Sequence, residues 1–360
     1  MLSLRGSKHC FSGGLKCAIS VLTVVVAVMA PAWPVAHAGG DGGVKLETVP
    51  YRGWKNNLRM SNGDAELLLT LEAGPRILSY RLQGGKNVFK EYPDQLGKSG
   101  ESTWMIRGGH RLSIGPEDPS RSYVPDNGPV AYQVLDKSLG LVRLTPEPDT
   151  VNGLQKEMDV LLAAKGSRVK VVHRVKNVGS KPAELSPWAV TVLAPGGVEI
   201  IPQPPRRPYP KEPGKASAAD YVPDRSIAYW PYFSFHNQGW NFGVKYITLW
   251  PSLTRQGPKY GPTKVGMCHR MGWVAYLNEG ELFVKRFDHE KDKTYPDGRC
   301  NLETFADADM LDIETLGPLV KLAPGAKIEH TESWDLVSGV GSYVHQYEID
   351  KVVLPRIPPK

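Results

Sequence analysis

Short runs of apolar or alternating residues, separated by residues that form turns, recur along most of this 360-residue chain. The segment 168–176 is the clearest example, because valines at 169, 171 and 175 alternate there with basic residues. A period of two places the valines on one face of a β-strand and the charges on the other. Gly 37 and Pro 31 supply the intervening turns, and few windows have a helical period. The sequence therefore predicts an all-β sandwich with few short helices.

Two long segments interrupt the strand pattern. Residues 108–129, rich in Gly, Pro, Asp and Ser, are expected to form a long loop, and the proline-rich residues 202–214 an extended surface loop. Long ordered loops often form binding edges. Because strand patterns resume on both sides of each loop, we predict a single domain over residues 39–360. The predicted strands lie at 65–71, 77–82, 130–135, 139–144, 158–163, 168–176, 188–193, 244–249, 272–277, 282–287, 310–315 and 327–336.

The first 38 residues have the pattern of a secretory signal peptide. Arg5, Lys8 and Lys16 precede an apolar run at 18–30, and Ala36–Ala38 forms a small-x-small cleavage site. An uncleaved membrane anchor is the alternative, but the apolar run is short and two prolines follow it. We therefore predict a periplasmic or secreted protein with no membrane span after the leader has been removed.

The charge and the cysteines exclude several classes of partner. The formal net charge of +7 falls by three when the leader is removed, and no basic helix or cluster remains, so nucleic acid is not an expected partner. Cys268 and Cys300 would remain in an oxidising compartment, where both a disulfide and two free thiols are open. Two cysteines without a CxxC pattern do not form a zinc site. No metal or cofactor is predicted, although calcium binding stays open.

No sequence motif of the common hydrolases or nucleotide-binding proteins is present. The chain has no GxSxG, HExxH or Walker pattern, so serine-hydrolase, metalloprotease and nucleotide-binding functions lack support. His173 lies on the valine face of its predicted strand, and we expect it to be a core histidine whose hydrogen bonds are satisfied.

The segment 104–112 combines two glycines with two polar donors. Gly108 and Gly109 allow a close approach of the backbone, and His110 and Arg111 could donate to an oxygen-rich ligand. The alternative is a turn in which the arginine pairs with a nearby carboxylate such as Glu117. Both interpretations stay open on the sequence.

Aromatic residues are concentrated between positions 188 and 250. Sugars are commonly held by aromatic faces with polar groups at the edge, so this concentration suits a carbohydrate site. For most of these residues, the core of a sandwich is the favoured interpretation. The candidates for ligand contact are Trp188, Trp230 and Tyr232.

The acidic segment 301–314 carries the candidates for proton transfer. On a strand, Asp312 and Glu314 share one face, and two such carboxylates can divide acid and base roles if their environments differ. They can also bind a metal or simply face water. Glu303 and Glu314 stand out, because each is embedded among apolar or small residues and is followed by a threonine.

Several segments together carry a resemblance to a known family. They are Gly108–Leu112, Tyr295–Gly298, Asn301–Phe305, Leu311–Pro318 and Glu332–Trp334. Over roughly residues 44–337, the chain resembles an uncharacterised bacterial domain family of the galactose mutarotase-like (aldose 1-epimerase-like) superfamily. The resemblance implies a large antiparallel β-supersandwich whose concave face binds sugars.

The resemblance also implies roles for individual residues. Aldose epimerases open the pyranose ring with a late-strand glutamate as general base, a position that Glu314 matches and for which Glu303 is the alternative. Arg111 resembles the arginine that contacts the sugar. The segment 186–191 has no histidine where mutarotases carry their general acid, so His110 is the candidate substitute.

Three functions remain open on this basis. The first is an exported carbohydrate-binding protein that acts at a sugar anomeric centre, as an aldose 1-epimerase-like isomerase. The second is a non-catalytic glycan-binding or envelope-associated module; polysaccharide cleavage is a third. The sequence specifies neither the sugar nor the oligomeric state.

Overall fold

The computed structural model describes residues 43–210, 212–255, 261–343 and 345–360. The leader predicted at residues 1–38 therefore lies outside the described residues. The described residues belong to one compact unit. The strands, in chain order, are β1 (Lys45–Tyr51), β2 (Trp54–Ser61), β3 (Ala65–Thr70), β4 (Arg76–Leu82), β5 (Gly109–Gly115), β6 (Val130–Asp136), β7 (Leu141–Pro146), β8 (Leu154–Leu162), β9 (Val169–Asn177), β10 (Ala183–Leu193), β11 (Val198–Pro202), β12 (Ile227–Tyr229), β13 (Trp240–Phe242), β14 (Tyr246–Leu249), β15 (Thr263–Met267), β16 (Trp273–Asn278), β17 (Glu281–Phe287), β18 (Leu302–Ala306), β19 (Leu311–Leu316), β20 (Val320–Leu322) and β21 (Lys327–Val337).

Helical structure in the described ranges is confined to short segments of three to five residues. The two α-helical turns are α1 (Pro296–Arg299) and α2 (Ile349–Val352). The 3-10 turns are Pro93–Gln95, Pro213–Lys215, Ala218–Asp220, Pro251–Arg255, Gln346–Glu348 and Leu354–Arg356. None of these helices is long and apolar enough to span a membrane.

The strands form two antiparallel sheets. The first sheet has the order β1-β2-β3-β4-β5-β10-β19-β18-β15-β12, with β20 also paired to β10. The second has the order β13-β14-β11-β16-β17-β21-β9-β8-β7-β6. Leu67 and Ile77 of the first sheet pack in one cluster with Val171, Phe283 and Trp334 of the second. The predicted antiparallel β-sandwich with few short helices is thus confirmed.

The strand predictions locate 12 of the 21 described strands and miss the others, among which β5 is the most informative. Every predicted strand overlaps an observed strand, but the segment 108–129, expected to be a loop, begins with β5. Polar residues obscure this strand in the sequence, although Leu112 and Ile114 reach the core between the sheets. The expected glycine turn precedes the strand, since Gly108 and Gly109 have φ of +74° and +68°.

Gly109 shows why a glycine is needed at the start of β5. A Cβ atom there would lie 2.3 Å from the carbonyl oxygen of Ile77 on β4. The close backbone approach expected from the two glycines is therefore present, and it seats β5 against β4.

Side chains of the first sheet alternate between two environments. Residues such as Leu112, Val265 and Ile313 face the second sheet and belong to the main core. Trp188 and Val190 of β10 face the other way and form a separate small cluster. Ile106 and Tyr123, from loops, and Phe305, from β18, pack against this cluster. The outer face of the first sheet is therefore walled by loops, and this is where a cavity forms.

Candidate functional site

The register of four adjacent strands brings three predicted residues into one row. Val190 of β10 pairs with Arg111 of β5 on one side and with Glu314 of β19 on the other. Glu314 in turn pairs with Glu303 of β18. Because paired residues on neighbouring strands point to the same face, Arg111, Glu314 and Glu303 all lie on the outer face of the first sheet.

A cavity of about 250 Å³ lies over this row. Five of the sequence-predicted residues line it: Arg111, Glu117, Trp188, Tyr232 and Glu314. The remaining lining residues are Trp104, Ile106, Tyr123, Lys264, Phe305, Met310 and Asp312. The cavity thus combines aromatic walls with five charged side chains, a composition typical of sites for polar ligands that also have apolar faces.

Lys264 of β15 is the charged centre of the site. Its Nζ lies 2.9 Å from Oε2 of Glu303, 2.9 Å from Oε2 of Glu314 and 3.1 Å from Oε2 of Glu117. Burial opposes the charge, but Glu314, Glu303 and Glu117 outweigh it and raise the pKa of Lys264 well above its usual value. The residue is therefore a permanent cation shared by three carboxylates.

Trp188 and Trp230 enclose this ammonium group. Nζ of Lys264 lies 5.0 Å from the ring centroid of Trp188 and 4.8 Å from that of Trp230, distances suited to a cation–π contact. Trp230, a sequence-predicted ligand contact, is thus placed beside Lys264 and is not among the residues that line the cavity. Gly266 permits this position, because a Cβ atom there would lie 3.0 Å from Cζ3 of Trp230.

Glu314 faces the cavity, and Trp188 and Lys264 both bind one of its two carboxylate oxygens. Its Oε2 accepts a hydrogen bond from Nε1 of Trp188 at 2.8 Å and another from Nζ of Lys264 at 2.9 Å. Both contacts are made to the same oxygen, so Oε1 is the oxygen that is available to a ligand. Glu314 therefore has the placement expected of a carboxylate that accepts a proton from a bound molecule.

Glu303 lies behind Lys264 and does not line the cavity. It is 1% exposed, and its Oε1 has no hydrogen-bond partner. Burial, supported by the neighbouring Glu314, raises the pKa of Glu303 well above its usual range despite the attraction of Lys264. The carboxyl is thus a buried acid below the floor of the cavity.

Asp312 lines the cavity two residues before Glu314 on the same face of β19. Its Oδ1 is buried and has no hydrogen-bond partner. Burial raises the pKa of Asp312 to about 7, with Glu314 adding to the rise and Arg111 opposing it. The two cavity carboxylates of β19 therefore differ sharply in their surroundings.

Arg111 is a buried cation with an unused donor. Its guanidinium group lies 5.1 Å from the ring centroid of Trp104, and its Nη1 has no hydrogen-bond partner. Within the described part of the chain no ion pair joins it to Glu117, which instead contacts Lys264 and the hydroxyl of Tyr123. Burial disfavours the charge of Glu117, yet Lys264 and Tyr123 hold its pKa below the usual value.

The structure does not bring His110 to the cavity, which corrects the expectation that it substitutes for the missing acid. Neighbouring residues of a strand point to opposite faces, so His110 points inward where Arg111 points outward. Its Nε2 lies 2.7 Å from Nε2 of His173, and its Nδ1 lies 2.9 Å from Oγ1 of Thr191. Burial lowers the pKa of His110 well below its usual value. It is a neutral imidazole between the sheets.

His110 belongs to a buried polar cluster, which also contains the core histidine expected at position 173. Nδ1 of His173 donates to the carbonyl oxygen of His330 at 3.0 Å, so its Nε2 accepts from Nε2 of His110. Nδ1 of His110 then accepts from the hydroxyl of Thr191, which accepts from Nζ of Lys285 at 3.0 Å. The expectation of a satisfied core histidine at 173 is confirmed.

The same cluster contains the one arrangement in the described ranges that resembles a metal site. Ligand atoms of His110, His173 and Glu332 lie within 4.8 Å of one another. However, Nζ of Lys285 lies 2.8 Å from Oε1 of Glu332, and Nε1 of Trp334 donates to Oε2 at 2.9 Å. The carboxylate is already neutralised and the imidazoles are already hydrogen-bonded, so the group is best interpreted as structural.

The sequence leaves open whether Cys268 and Cys300 form a disulfide. Cys268 directly follows β15, and Cys300 lies just before β18. Cys268 and Cys300 are both buried and both free. Burial raises the pKa of Cys300 well above its usual value, so this thiol is not a reactive nucleophile.

Comparisons with known proteins concern the fold. No family model matches the chain, and no curated protein matches it either. A TPR-domain-containing protein from Parabacteroides distasonis matches with a TM-score of 0.51 and 16% identity over 84% of this chain. This chain spans only 50% of that protein's length.

Two smaller solved structures match over nearly their whole length. A galactose mutarotase-like protein from Lactobacillus casei has a TM-score of 0.51 and 9% identity, covering 78% of this chain and 100% of that one. A galactose mutarotase-like protein from Clostridium acetobutylicum has a TM-score of 0.50 and 9% identity, covering 82% and 99%. At these identities the likeness is one of architecture.

Proposed function

Since the chain has the fold of galactose mutarotase-like proteins, we propose that the cavity over β5, β10 and β19 binds one pyranose unit of a carbohydrate. The fold alone does not specify a ligand. The proposal therefore rests on the side chains of the cavity.

One observation carries the proposal. Nη1 of Arg111 is a buried donor without a partner, and Oδ1 of Asp312 is a buried acceptor without one. Both residues line the same cavity. Leaving such groups unsatisfied costs about 1–3 kcal/mol each. A sugar hydroxyl both accepts and donates, so neighbouring hydroxyl groups of one ring would satisfy both atoms.

The aromatic walls support the same class of ligand. Trp104, Tyr123, Trp188, Tyr232 and Phe305 surround the charged groups. A pyranose ring has apolar C–H faces and polar edges, and its faces pack against aromatic rings while its hydroxyl groups reach the charges. A fully polar anion would have no apolar face to pack against these rings.

If the protein is catalytic, Glu314 is the general base for opening the ring. Its Oε1 would accept the proton of the anomeric hydroxyl while the bond from the anomeric carbon to the ring oxygen breaks. Lys264 and Trp188 on Oε2 hold the carboxylate in one orientation. The product of re-closure on the other face is the other anomer, as in an aldose 1-epimerase.

Polarimetry of α-D-galactose and α-D-glucose tests this assignment. We expect the wild type to accelerate mutarotation and Glu314→Gln to slow it by about 100-fold, the usual contribution of a general base. Glu147→Gln, at an exposed position, is the matched control and should behave as the wild type. Equal rates for the wild type and Glu314→Gln would refute the epimerase assignment.

A non-catalytic glycan-binding module is the second candidate. It is favoured by the inward position of His110, because no histidine is among the residues that line the cavity. Calorimetry would then detect sugar binding by the wild type that Arg111→Gln weakens, with no change in the rate of mutarotation.

We further propose that the protein is exported to the periplasm or the medium. The charged start, the apolar run and the small-x-small site of residues 1–38 support this. Expression of the full chain, followed by fractionation and mass measurement, should yield a protein that begins after about Ala38 outside the cytoplasm. Retention of the full-length chain in the cytoplasm would contradict export.

A further inference from the structure

We propose that Asp312 is the proton donor of this cavity, acting on the ring oxygen of an aldopyranose while Glu314 accepts the proton of the anomeric hydroxyl. The inference rests on the proposed binding of a sugar. It assigns the acid role, which the inward position of His110 leaves vacant, to a residue on the same strand as the base.

The positions of the two carboxylates suit this division of labour. Asp312 and Glu314 lie two residues apart on the outer face of β19, a separation of roughly 7 Å along a strand. Both line the cavity. The anomeric hydroxyl and the ring oxygen are bonded to the same carbon, so two hydrogen bonds of about 2.7 Å can join them to carboxylates at this spacing.

The surroundings of the two carboxylates differ in the way that separates an acid from a base. On the neighbouring strands Asp312 pairs with Val192 and with Phe305, both apolar. It is 5% exposed, and its Oδ1 has no partner. Glu314 instead receives Lys264 and Trp188. Apolar surroundings favour the protonated form of a carboxyl, the form that a proton donor needs.

Burial and the charged groups around Asp312 together set the pH at which its carboxyl loses its proton. Burial raises its pKa to about 7, and the attraction of Arg111 and Lys264 limits the rise. The titratable groups that face Asp312 are Arg111 from β5, Lys264 from β15, Glu314 from β19 itself, Asp307 from the turn before β19, and Tyr92 from the segment before β5.

The other carboxyl groups of the site are less suitable donors. Glu303 contacts Lys264 and does not line the cavity. Glu117 lines the cavity, but its contacts with Lys264 and Tyr123 lower its pKa and keep it ionised. Asp312 is therefore the cavity carboxyl that combines access with an available proton.

The proton balance closes without a further reactant. In ring opening, Glu314 takes the proton of the anomeric hydroxyl, the C=O bond forms, the bond between the anomeric carbon and the ring oxygen breaks, and Asp312 protonates that oxygen. After rotation about the adjacent C–C bond, the hydroxyl attacks the other face of the carbonyl. Its proton returns to Asp312, and Glu314 returns its proton to the new anomeric hydroxyl.

The test compares Asp312→Asn with the wild type on α-D-galactose and α-D-glucose. Asparagine is nearly isosteric and keeps an acceptor oxygen, so sugar binding by calorimetry should change less than about threefold, while kcat for mutarotation should fall by about 100-fold. Asp288→Asn, on the surface away from the cavity, is the matched control and should keep the wild-type kcat.

The pH dependence of the wild type provides a second readout that needs no variant. We expect kcat to fall as pH rises through about 7, because the donor loses its proton. A wild-type kcat for Asp312→Asn, or a wild-type kcat that stays constant from pH 6 to 9, overturns the acid assignment and leaves sugar binding intact. A wild type that neither binds nor converts these sugars overturns the proposed function and this inference together.

Discussion

Glu303 and Glu314 lie directly opposite each other on β18 and β19 and share one cation, the ammonium group of Lys264. Two carboxylates in register on neighbouring strands would ordinarily repel each other. Here the ammonium group of Lys264, 2.9 Å from an oxygen of each, offsets that repulsion. Of these two carboxylates, Glu314 is the one that lines the cavity.

Removing the shared cation should destabilise the protein strongly. Lys264→Met leaves Glu314 and Glu117 without their cationic partner, and breaking a buried ion pair costs about 3–5 kcal/mol. The free energy of unfolding in urea measures this. Lys321→Met, at an exposed position, is the control and should change it by less than about 0.5 kcal/mol. A cost below about 1 kcal/mol for Lys264→Met would contradict the role of Lys264.

His110 should matter for stability and not for the ligand. In His110→Ala, the hydroxyl of Thr191 and Nε2 of His173 lose their buried partner, at about 1–3 kcal/mol each. We expect a lower urea midpoint together with an unchanged sugar affinity under conditions where the variant is folded. Loss of mutarotation at wild-type stability would instead assign His110 to the chemistry.

Glu199 of β11 makes stability depend on pH. In the folded protein burial raises its pKa to about 8, whereas in the unfolded chain it ionises above about pH 4.5. Between pH 4.5 and pH 8, unfolding therefore releases a proton from this carboxyl. The contribution of Glu199 to the free energy of unfolding consequently falls by about 1.4 kcal/mol for each pH unit of increase. Glu199→Gln has no such proton to release. Its free energy of unfolding relative to the wild type should therefore increase from pH 5 to pH 8.

Urea unfolding at pH 5, 6.5 and 8 measures that difference. Glu147→Gln, at an exposed position, should differ from the wild type by the same small amount at each pH. A difference between Glu199→Gln and the wild type that does not change with pH would show that the Glu199 carboxyl ionises normally in the folded protein.

Gly266 of β15 sets the position of Trp230. A Cβ atom at 266 would lie 2.6 Å from Sγ of Cys300 and 3.0 Å from Cζ3 of Trp230, so Gly266→Ala must displace one of them. We expect a loss of about 1–3 kcal/mol in stability and a shift in tryptophan fluorescence. Gly128→Ala, where no atom lies within 4 Å of the new Cβ, should leave both unchanged.

The sequence predicts the fold well because strand alternation is a local signal. The valines of β9 alternate clearly, and this strand lies where it was predicted. The β5 strand was missed because His110, Arg111 and Ser113 interrupt its apolar positions. Such a strand is recognisable only when both of its neighbours, β4 and β10, are known.

The site was predictable in part. The register of β18 and β19 explains why Glu303 and Glu314 are neighbours, but no sequence spacing links them to Lys264, which pairs with Phe305 on β18. A lysine at an alternating position of a strand ordinarily faces water. Trp188 and Trp230, from two other parts of the chain, flank its ammonium group. The period of two also predicts that His110 and Arg111, which are adjacent, point to opposite faces of a strand, so only one of them can face the cavity.

The alternation along β5 has a consequence for how this protein can vary. Deleting one residue near the start of the strand would exchange the two faces, placing the guanidinium group between the sheets and the imidazole over the cavity. Single substitutions at outward positions can therefore alter the cavity while the interior packing stays the same. An insertion or deletion within the strand would change the interior packing as well. We therefore expect length changes among related chains to be confined to the loops that wall the cavity.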